Sequence, residues 1–382
     1  MKTKFLISII FLNIIFNGFA ASINVDELSI IADSYFITDK NTKFQMNTYF
    51  KFVTSFDGGY KFAAKVAFET NTKLLQQNFV TNQFNIGNIY LFFNKAEVTI
   101  KNLANSHLSF SFWTGTYKYL GDGNKYRGFL YYPDTPNVDY QGFYRLRGTG
   151  LTTQIKFWED RFRAEFHIYN NSNFISLDPT AYNFFSIDSE VGLYFKNVNF
   201  EIFGGYTKDL VIPIEDSTND MINGRGKVGT SFWVGNEYID FFTCFGISNL
   251  DVNSTNINFN SFYLLGELHF KLFVTDNTIS FMTRPTLYNE LNKIKRGDSY
   301  DFDLNYKLNI TVKDFPLSGG LLFNLKYSLA SSTNWSLALS PFLSITTFGV
   351  VWNLNIHYDF AAIQREKYLD GLRIVLGVSS QF

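Results

Sequence analysis

Cysteine is almost missing: Cys244 is the only one in 382 residues. A single thiol excludes an intramolecular disulfide and a cysteine-cluster zinc site, and a small packed residue explains it better than a catalytic thiol. Proline is scarce too, with 7 residues, so long uninterrupted strand pairing is feasible. Charge of one sign is not in excess, since 33 Lys and Arg stand against 34 Asp and Glu. Binding to nucleic-acid phosphates needs a basic surplus, so no nucleic-acid partner is expected. Beyond the first 20 residues no stretch approaches the roughly 20 apolar residues of a spanning helix. His107, His167, His269 and His357 are far apart and show no HExxH spacing, so no metal site is expected. No GxSxG elbow and no Gly-rich phosphate loop is present, so neither catalytic residues nor a cofactor are expected.

The N-terminus has its own character. Lys2 and Lys4 precede an apolar run over 5–16, and Gly18-Phe19-Ala20 is a small-x-small site. This pattern predicts an export signal over 1–20, cleaved after Ala20, with 21–382 forming a single domain. An uncleaved membrane helix fits less well, because the run is short and contains Asn13.

What the chain has in abundance is aromatic residues, 19% of the total, with 44 Phe and 23 Tyr. They recur with period two. In the stretch 43–56, Phe44, Met46, Thr48, Phe50, Phe52, Thr54 and Phe56 share one parity, while Lys43, Gln45, Asn47, Tyr49, Lys51, Val53 and Ser55 share the other. Asp57-Gly58-Gly59 then supplies a tight turn. After it, Tyr60, Phe62, Ala64, Val66 and Phe68 oppose Lys61, Lys65 and Glu69. Strand side chains point to alternate faces, so each arm has one uncharged and one wet face. The arms reach the roughly 9–11 residues with which a tilted strand crosses a bilayer, whereas a soluble strand is nearer ~5–6.

The pattern repeats to the end as nine hairpins, about eighteen strands, with sixteen as the fallback. Over 25–36, Leu28, Ile30, Ala32, Ser34 and Phe36 alternate, but a short amphipathic helix or plug fits the same residues. Asn94 interrupts one apolar face, as a bulge would. Tight turns are expected at Glu159-Asp160, Lys196-Asn197, Gly235-Asn236, Thr275-Asp276-Asn277 and Thr346-Thr347. They alternate with longer loops at 71–87, 115–148, 170–185, 207–222, 248–258, 286–298 and 361–367. The uncharged faces hold no Asp, Glu, Lys or Arg; those residues take the other parity, as Lys51, Arg161, Arg163, Glu165, Glu190, Arg225, Lys227, Glu267 and Arg373 do. Consecutive hairpins without helices leave many open edges unless the sheet closes on itself. The expected fold is therefore all-β: a closed antiparallel transmembrane β-barrel with an apolar outer belt, a watery lumen, short periplasmic turns and longer external loops.

The last strand presents Leu372, Ile374, Leu376 and Val378 at alternate positions and ends in Phe382, with Ser380 where an apolar residue is commoner. With the export signal and the hairpins, this resembles bacterial outer-membrane porins. The resemblance implies an outer-membrane location, assembly-machinery recognition through Phe382, contact with membrane lipid, a homotrimer, and passive diffusion of small hydrophilic solutes or ions. It also implies that the longest loop, 115–148, folds into the lumen and narrows it, with Tyr117, Tyr119, Asp122, Arg127, Asp134, Asp139 and Arg145 as constriction residues.

A pore selects by the width, charge and hydrogen-bonding groups of its lining. The inward parity makes Lys51, Arg161, Arg163, Glu165, Arg225 and Lys227 the expected pore lining. Arg161, Arg163, Arg225 and Lys227 would form a basic wall facing Asp122, Asp134 and Asp139; alternatively these charges only hydrate the lumen and pair with Glu165 and Glu190. The loop tyrosines also offer faces for sugar stacking. The rival functions are a substrate-specific outer-membrane channel for a sugar or hydrophobic compound, and a barrel adhesin without an open pore. A barrel enzyme would need a lipid-level Ser/His pair, which the sequence does not show.

Overall fold

The computed structural model describes residues 22–38, 42–71, 92–103, 107–121, 143–171, 183–210, 224–251, 262–284, 301–312, 316–328 and 335–380. The export signal, Asp122, Arg127, Asp134, Asp139 and Phe382 lie outside the described residues.

Eighteen strands make up the fold. In chain order they are β1 (Ser22–Thr38), β2 (Thr42–Asp57), β3 (Phe62–Asn71), β4 (Phe92–Ile100), β5 (Leu108–Leu120) and β6 (Tyr144–Phe157). Next come β7 (Phe162–Asn171), β8 (Asn183–Tyr194), β9 (Val198–Leu210), β10 (Gly224–Gly235), β11 (Ile239–Asp251) and β12 (Phe262–Leu272). The last are β13 (Thr275–Arg284), β14 (Asp301–Thr311), β15 (Leu317–Ser328), β16 (Trp335–Thr347), β17 (Val350–Asp359) and β18 (Leu372–Ser380). Every strand pairs antiparallel with its chain neighbours, and β1 pairs with β18, so the sheet closes without an edge. Closure gives each strand a backbone partner on both sides, which an apolar surrounding demands.

The two ambiguous points at the N-terminal side resolve simply. Residues 22–38 form a strand, not a plug, because β2 pairs with them along nearly their whole length and β18 pairs with the stretch Leu28 to Tyr35. Asn94 is skipped in the β3–β4 ladder, where Ala67 faces Lys95 and Phe68 faces Phe93. Two tight turns fall elsewhere than expected. Phe273-Val274, not Thr275-Asp276-Asn277, joins β12 to β13, because Leu272 pairs with Thr275. Phe348-Gly349 joins β16 to β17, with Thr347 paired to Val350.

The uncharged parity faces outward: Phe112, Phe166, Ile202, Phe232, Phe245, Leu304, Trp352 and Leu376 are exposed. The other parity is turned inward and holds Asn47, Thr152, His167, Asp188, Glu201, His269, Asn324 and His357. This is a transmembrane barrel's division of faces. Between β17 and β18 the chain forms α1 (Ala361–Gln364) and a 3-10 turn, Tyr368–Gly371. That segment sits over the closing seam, where the Thr38 backbone N–H donates to Asp370 Oδ1 at 2.6 Å. Below it the Arg373 guanidinium donates through two nitrogens to the two carboxylate oxygens of Asp33, tying β18 to β1.

Candidate functional site: an inward ribbon across the lumen

Inside the ring, β5 and β6 run on past the strands that flank them. Pairing of β4 with β5 ends at Lys95 opposite Gly115. Pairing of β7 with β6 ends at Asn171 opposite Gly148. Yet β5 and β6 remain paired to each other beyond this level, with Thr116 opposite Arg147, Tyr119 opposite Arg145 and Leu120 opposite Tyr144. Gly115 and Gly148 face each other, with φ angles of 90° and 152°, and a register shift follows between Thr116 and Lys118. Side-chain-bearing residues rarely take such angles, and a bulge bends and twists a strand. The pair is thus the hinge where a two-stranded ribbon leaves the wall.

The ribbon turns inward. Phe143, whose N–H donates to Leu120 O at 2.8 Å, packs its ring against Phe203 of β9 at 5.3 Å and Tyr263 of β12 at 5.5 Å. Gly121 lies so close to the wall that a Cβ there would meet Phe203 at 2.7 Å and Cys244 Sγ at 2.8 Å. Leu120, Phe143, Tyr144 and Leu146 thereby complete an apolar cluster with Trp113, Tyr169, Phe203, Trp233, Phe242, Cys244, Tyr263, Leu265 and Met282. One side of the barrel interior, from β5 round to β13, is filled.

Ions fasten the same face. Lys118 Nζ bridges Glu165 and Glu190, each at 3.0 Å. Glu165 also accepts from Gln154 Nε2 at 2.5 Å. Lys227, fully buried, pairs with Asp188 at 2.7 Å, and its ammonium stands 3.7 Å from the centroid of the Tyr144 ring. Tyr169 OH donates to Asp188 Oδ2 at 2.7 Å, and Asn171 Nδ2 donates to Tyr144 OH at 2.8 Å. Buried charges persist only when paired in this way.

Tyr117 is part of the packing. Its ring stacks on Trp113 with centroids 5.1 Å apart, and the Lys95 ammonium lies 4.7 Å from its centroid. That leaves it engaged with the protein instead of offered to a sugar. Tyr144 and Leu146 are buried against the wall, so by parity the alternate residues of the ribbon, Tyr119, Arg145 and Arg147, take its opposite face, the one turned toward the open part of the lumen; each is half-buried there, and the Arg145 Nε is enclosed. That open part is bounded by walls such as β1–β3, whose inward charges are paired and partly exposed: Lys51 with Glu27 at 2.9 Å and Lys65 with Asp26 at 3.2 Å.

The expected lining is therefore rearranged. Arg161 is not on the wall: β7 begins at Phe162, and Arg161 stands exposed in the turn, 3.5 Å from Glu159. Arg163 is on β7 with its guanidinium 5.1 Å from the Tyr194 ring centroid. Arg225 is on β10, paired through its backbone with Thr207 and Asp251. Lys227 is neutralised by Asp188 and covered by the ribbon. No continuous basic wall results among the described residues, and Glu165 lies beneath the ribbon in an ion pair. The loop 115–148 also starts later than expected, since both its arms are paired strand up to Leu120 and from Tyr144. Sequence reasoning passed over Lys118, Phe143, Asp188, Phe203 and Tyr263. One signal for them existed: Trp113, Tyr169, Phe203, Trp233, Phe242 and Tyr263 are bulky aromatics at inward parity, which a purely watery lumen would not favour.

Comparison with known proteins gives likeness in structure only. No protein-family model matches the chain, and no curated protein matches it in sequence. A mutant of the Rh. blastica porin superposes at a TM-score of 0.47 with 9% identity, covering 95% of this chain and 100% of that one. Salmonella typhi OmpF in complex with daunomycin superposes at 0.48 with 8% identity, covering 96% and 99%. OmpT, an outer membrane protein of Vibrio cholerae in its trimer form, superposes at 0.44 with 9% identity, covering 95% and 100%. The chain is thus similar to porins in general form, and at these scores the likeness carries no functional weight.

Proposed function

We propose that this chain is a porin-type channel of a bacterial outer membrane, through which small hydrophilic solutes or ions diffuse passively and without catalysis. The observation that carries the reading is the inward ribbon: Phe143 spans from β6 to Tyr263 of β12 inside a ring whose outer face is apolar. A ribbon held across the interior narrows a lumen on one side and leaves a polar passage on the other. The passage is bordered by Arg145 and Arg147 of the ribbon, and width and charge at such a point set what passes. In this reading residues 1–20 are removed on export, Phe382 directs assembly into the membrane, and the barrels associate as a homotrimer.

Reconstitution of the mature chain in planar bilayers tests the reading. Stepwise, ohmic conductance that persists in either orientation of a salt gradient is expected. Electrically silent preparations of correctly folded barrel would sink it and favour a barrel that binds at the surface without conducting.

A further inference from the structure

Beneath the ribbon, on its short-turn side, the filling of the lumen stops and a polar cavity of about 340 Å³ opens against the wall. Its roof is Tyr117. In the β5–β6 ladder Thr116 faces Arg147 and Lys118 faces Leu146, so Tyr117 is the residue without a counterpart across the pair. A bulge of this kind re-aims a side chain. Here the ring stacks on Trp113, and the hydroxyl reaches Ser111 on β5. The walls are the lower inward positions of β4, β5 and β6, where Thr99 pairs with Ser111 and Ser109 with Gln154. The lip is made by Asn102 and His107 of the β4–β5 turn and by Asp160 of the β6–β7 turn. The cavity therefore runs from the underside of the ribbon to the short-turn mouth.

Its lining says what fits. Small-molecule pockets are mostly apolar, but this one offers hydroxyls from Thr99, Ser109, Ser111 and Tyr117 and amides from Asn102 and Gln154. Each such group can both donate and accept. Thr99 donates to Glu97 Oε1 at 3.1 Å, so Ser111 supplies the proton of the 2.7 Å bond between Ser111 and Thr99. Gln154 uses its Nε2 on Glu165, which leaves its carbonyl oxygen for the cavity. Hydroxyl-bearing solutes match such a surface, since they too donate and accept through the same atom.

The charges in the lining are already matched. Glu97 pairs with Lys95 at 2.7 Å, Lys101 with Asp57 at 2.9 Å and Lys156 with Asp160 at 3.6 Å. An ion entering the cavity has to compete with one of these pairs, whereas a neutral solute leaves all three in place. The Tyr117 ring is engaged by Trp113 and by the Lys95 ammonium, 4.7 Å from its centroid. A pyranose, which has an apolar face to cover, gains no stacking on it. The size is set by a volume near the lower end of the ~300–1,000 Å³ of small-molecule pockets.

We propose that this cavity is a binding site for a small uncharged polyol, an alditol or a cyclitol, held by hydrogen bonds to the hydroxyl and amide groups under the ribbon and reached from the short-turn mouth. The inference deepens the channel reading and rests on it: a polyol in the lumen dwells here instead of diffusing straight through.

Equilibrium dialysis of the folded barrel in detergent micelles against radiolabelled myo-inositol tests it. Two variants accompany the parent. S109L fills the cavity with an apolar side chain, while S111V keeps the volume and removes one hydroxyl. Saturable retention by the parent is expected, displaced by unlabelled xylitol and reduced several-fold in each variant. Retention that is not saturable, or that a folded S109L or S111V leaves unchanged, would overturn the proposal. So would displacement by myo-inositol phosphate or glycine at lower concentration than by xylitol, because the site would then be one for ions. If one variant does not migrate as folded barrel, the other decides. Conductance of the same parent preparation in potassium chloride reads the channel independently. A conducting barrel that retains no inositol defeats this inference alone, and a silent barrel defeats the channel reading together with it.

Discussion

The rings of Phe143 and Tyr263 lie 5.5 Å apart, although β7 to β11 separate the strands that carry them around the wall. Such a contact exists only because the β5–β6 ribbon crosses the interior. Phe143→Ala removes the far end of that bridge. In a packed core this change costs about 3–5 kcal/mol, but here the ribbon can swing free, so the effect should appear mainly in the pore. Larger or noisier single-channel conductance is expected in planar bilayers, and an unchanged trace would mean the ribbon does not border the conducting path.

Gly121 offers a second handle on the same ribbon. Its φ of 75° is left-handed, and an added Cβ would stand 2.7 Å from the Phe203 ring. Gly121→Ala is expected to cost about 1–3 kcal/mol from backbone strain, with the clash in addition. Combining it with Phe203→Ala should relieve the contact with the ring and leave the strain together with the 2.8 Å approach to Cys244 Sγ. Denaturant midpoints in detergent for the single and double variants separate the two contributions.

Lys227 and Asp188 form a buried pair at 2.7 Å. Lys227→Met strands a carboxylate under the ribbon, a change that typically costs about 3–5 kcal/mol. Adding Asp188→Asn should recover much of that loss, since the remaining amide is neutral and can still accept from Tyr169. A double variant no more stable than the single would show that the pair is not the source of the loss.

Arg145 and Arg147 sit on the face of the ribbon turned from the wall. Reversing both to Glu should shift the reversal potential in a salt gradient toward cations, measured on the fraction that migrates as folded barrel. A reversal potential identical to that of the parent would remove these arginines from the conducting path.

Asp33 and Arg373 join the first strand to the last. Asp33 is buried while Arg373 is partly exposed, so Arg373→Ala leaves a carboxylate in the wall without its cation. A loss on the order of 3 kcal/mol and slower closure of the barrel are expected. Time-resolved folding into detergent micelles, followed by the mobility shift of the folded band, reads both.

The residue pattern alone determined the strands, their number, the outward belt and the side on which the short turns lie. Those features follow from period-two alternation and from turn residues, which are local: whether Phe232 or Trp233 faces lipid is decided by parity with their immediate neighbours. Parity was not enough at strand ends. Arg161 has the inward parity of Arg163, yet it falls in the turn because the strand begins one residue later. Nor could parity reveal the ribbon. Its departure at Gly115 and Gly148 is set by where β4 and β7 stop pairing, which depends on other parts of the chain. The tertiary structure alone decided that Phe143, Phe203 and Tyr263 meet, because contact across a closed ring joins residues that no sequence period relates.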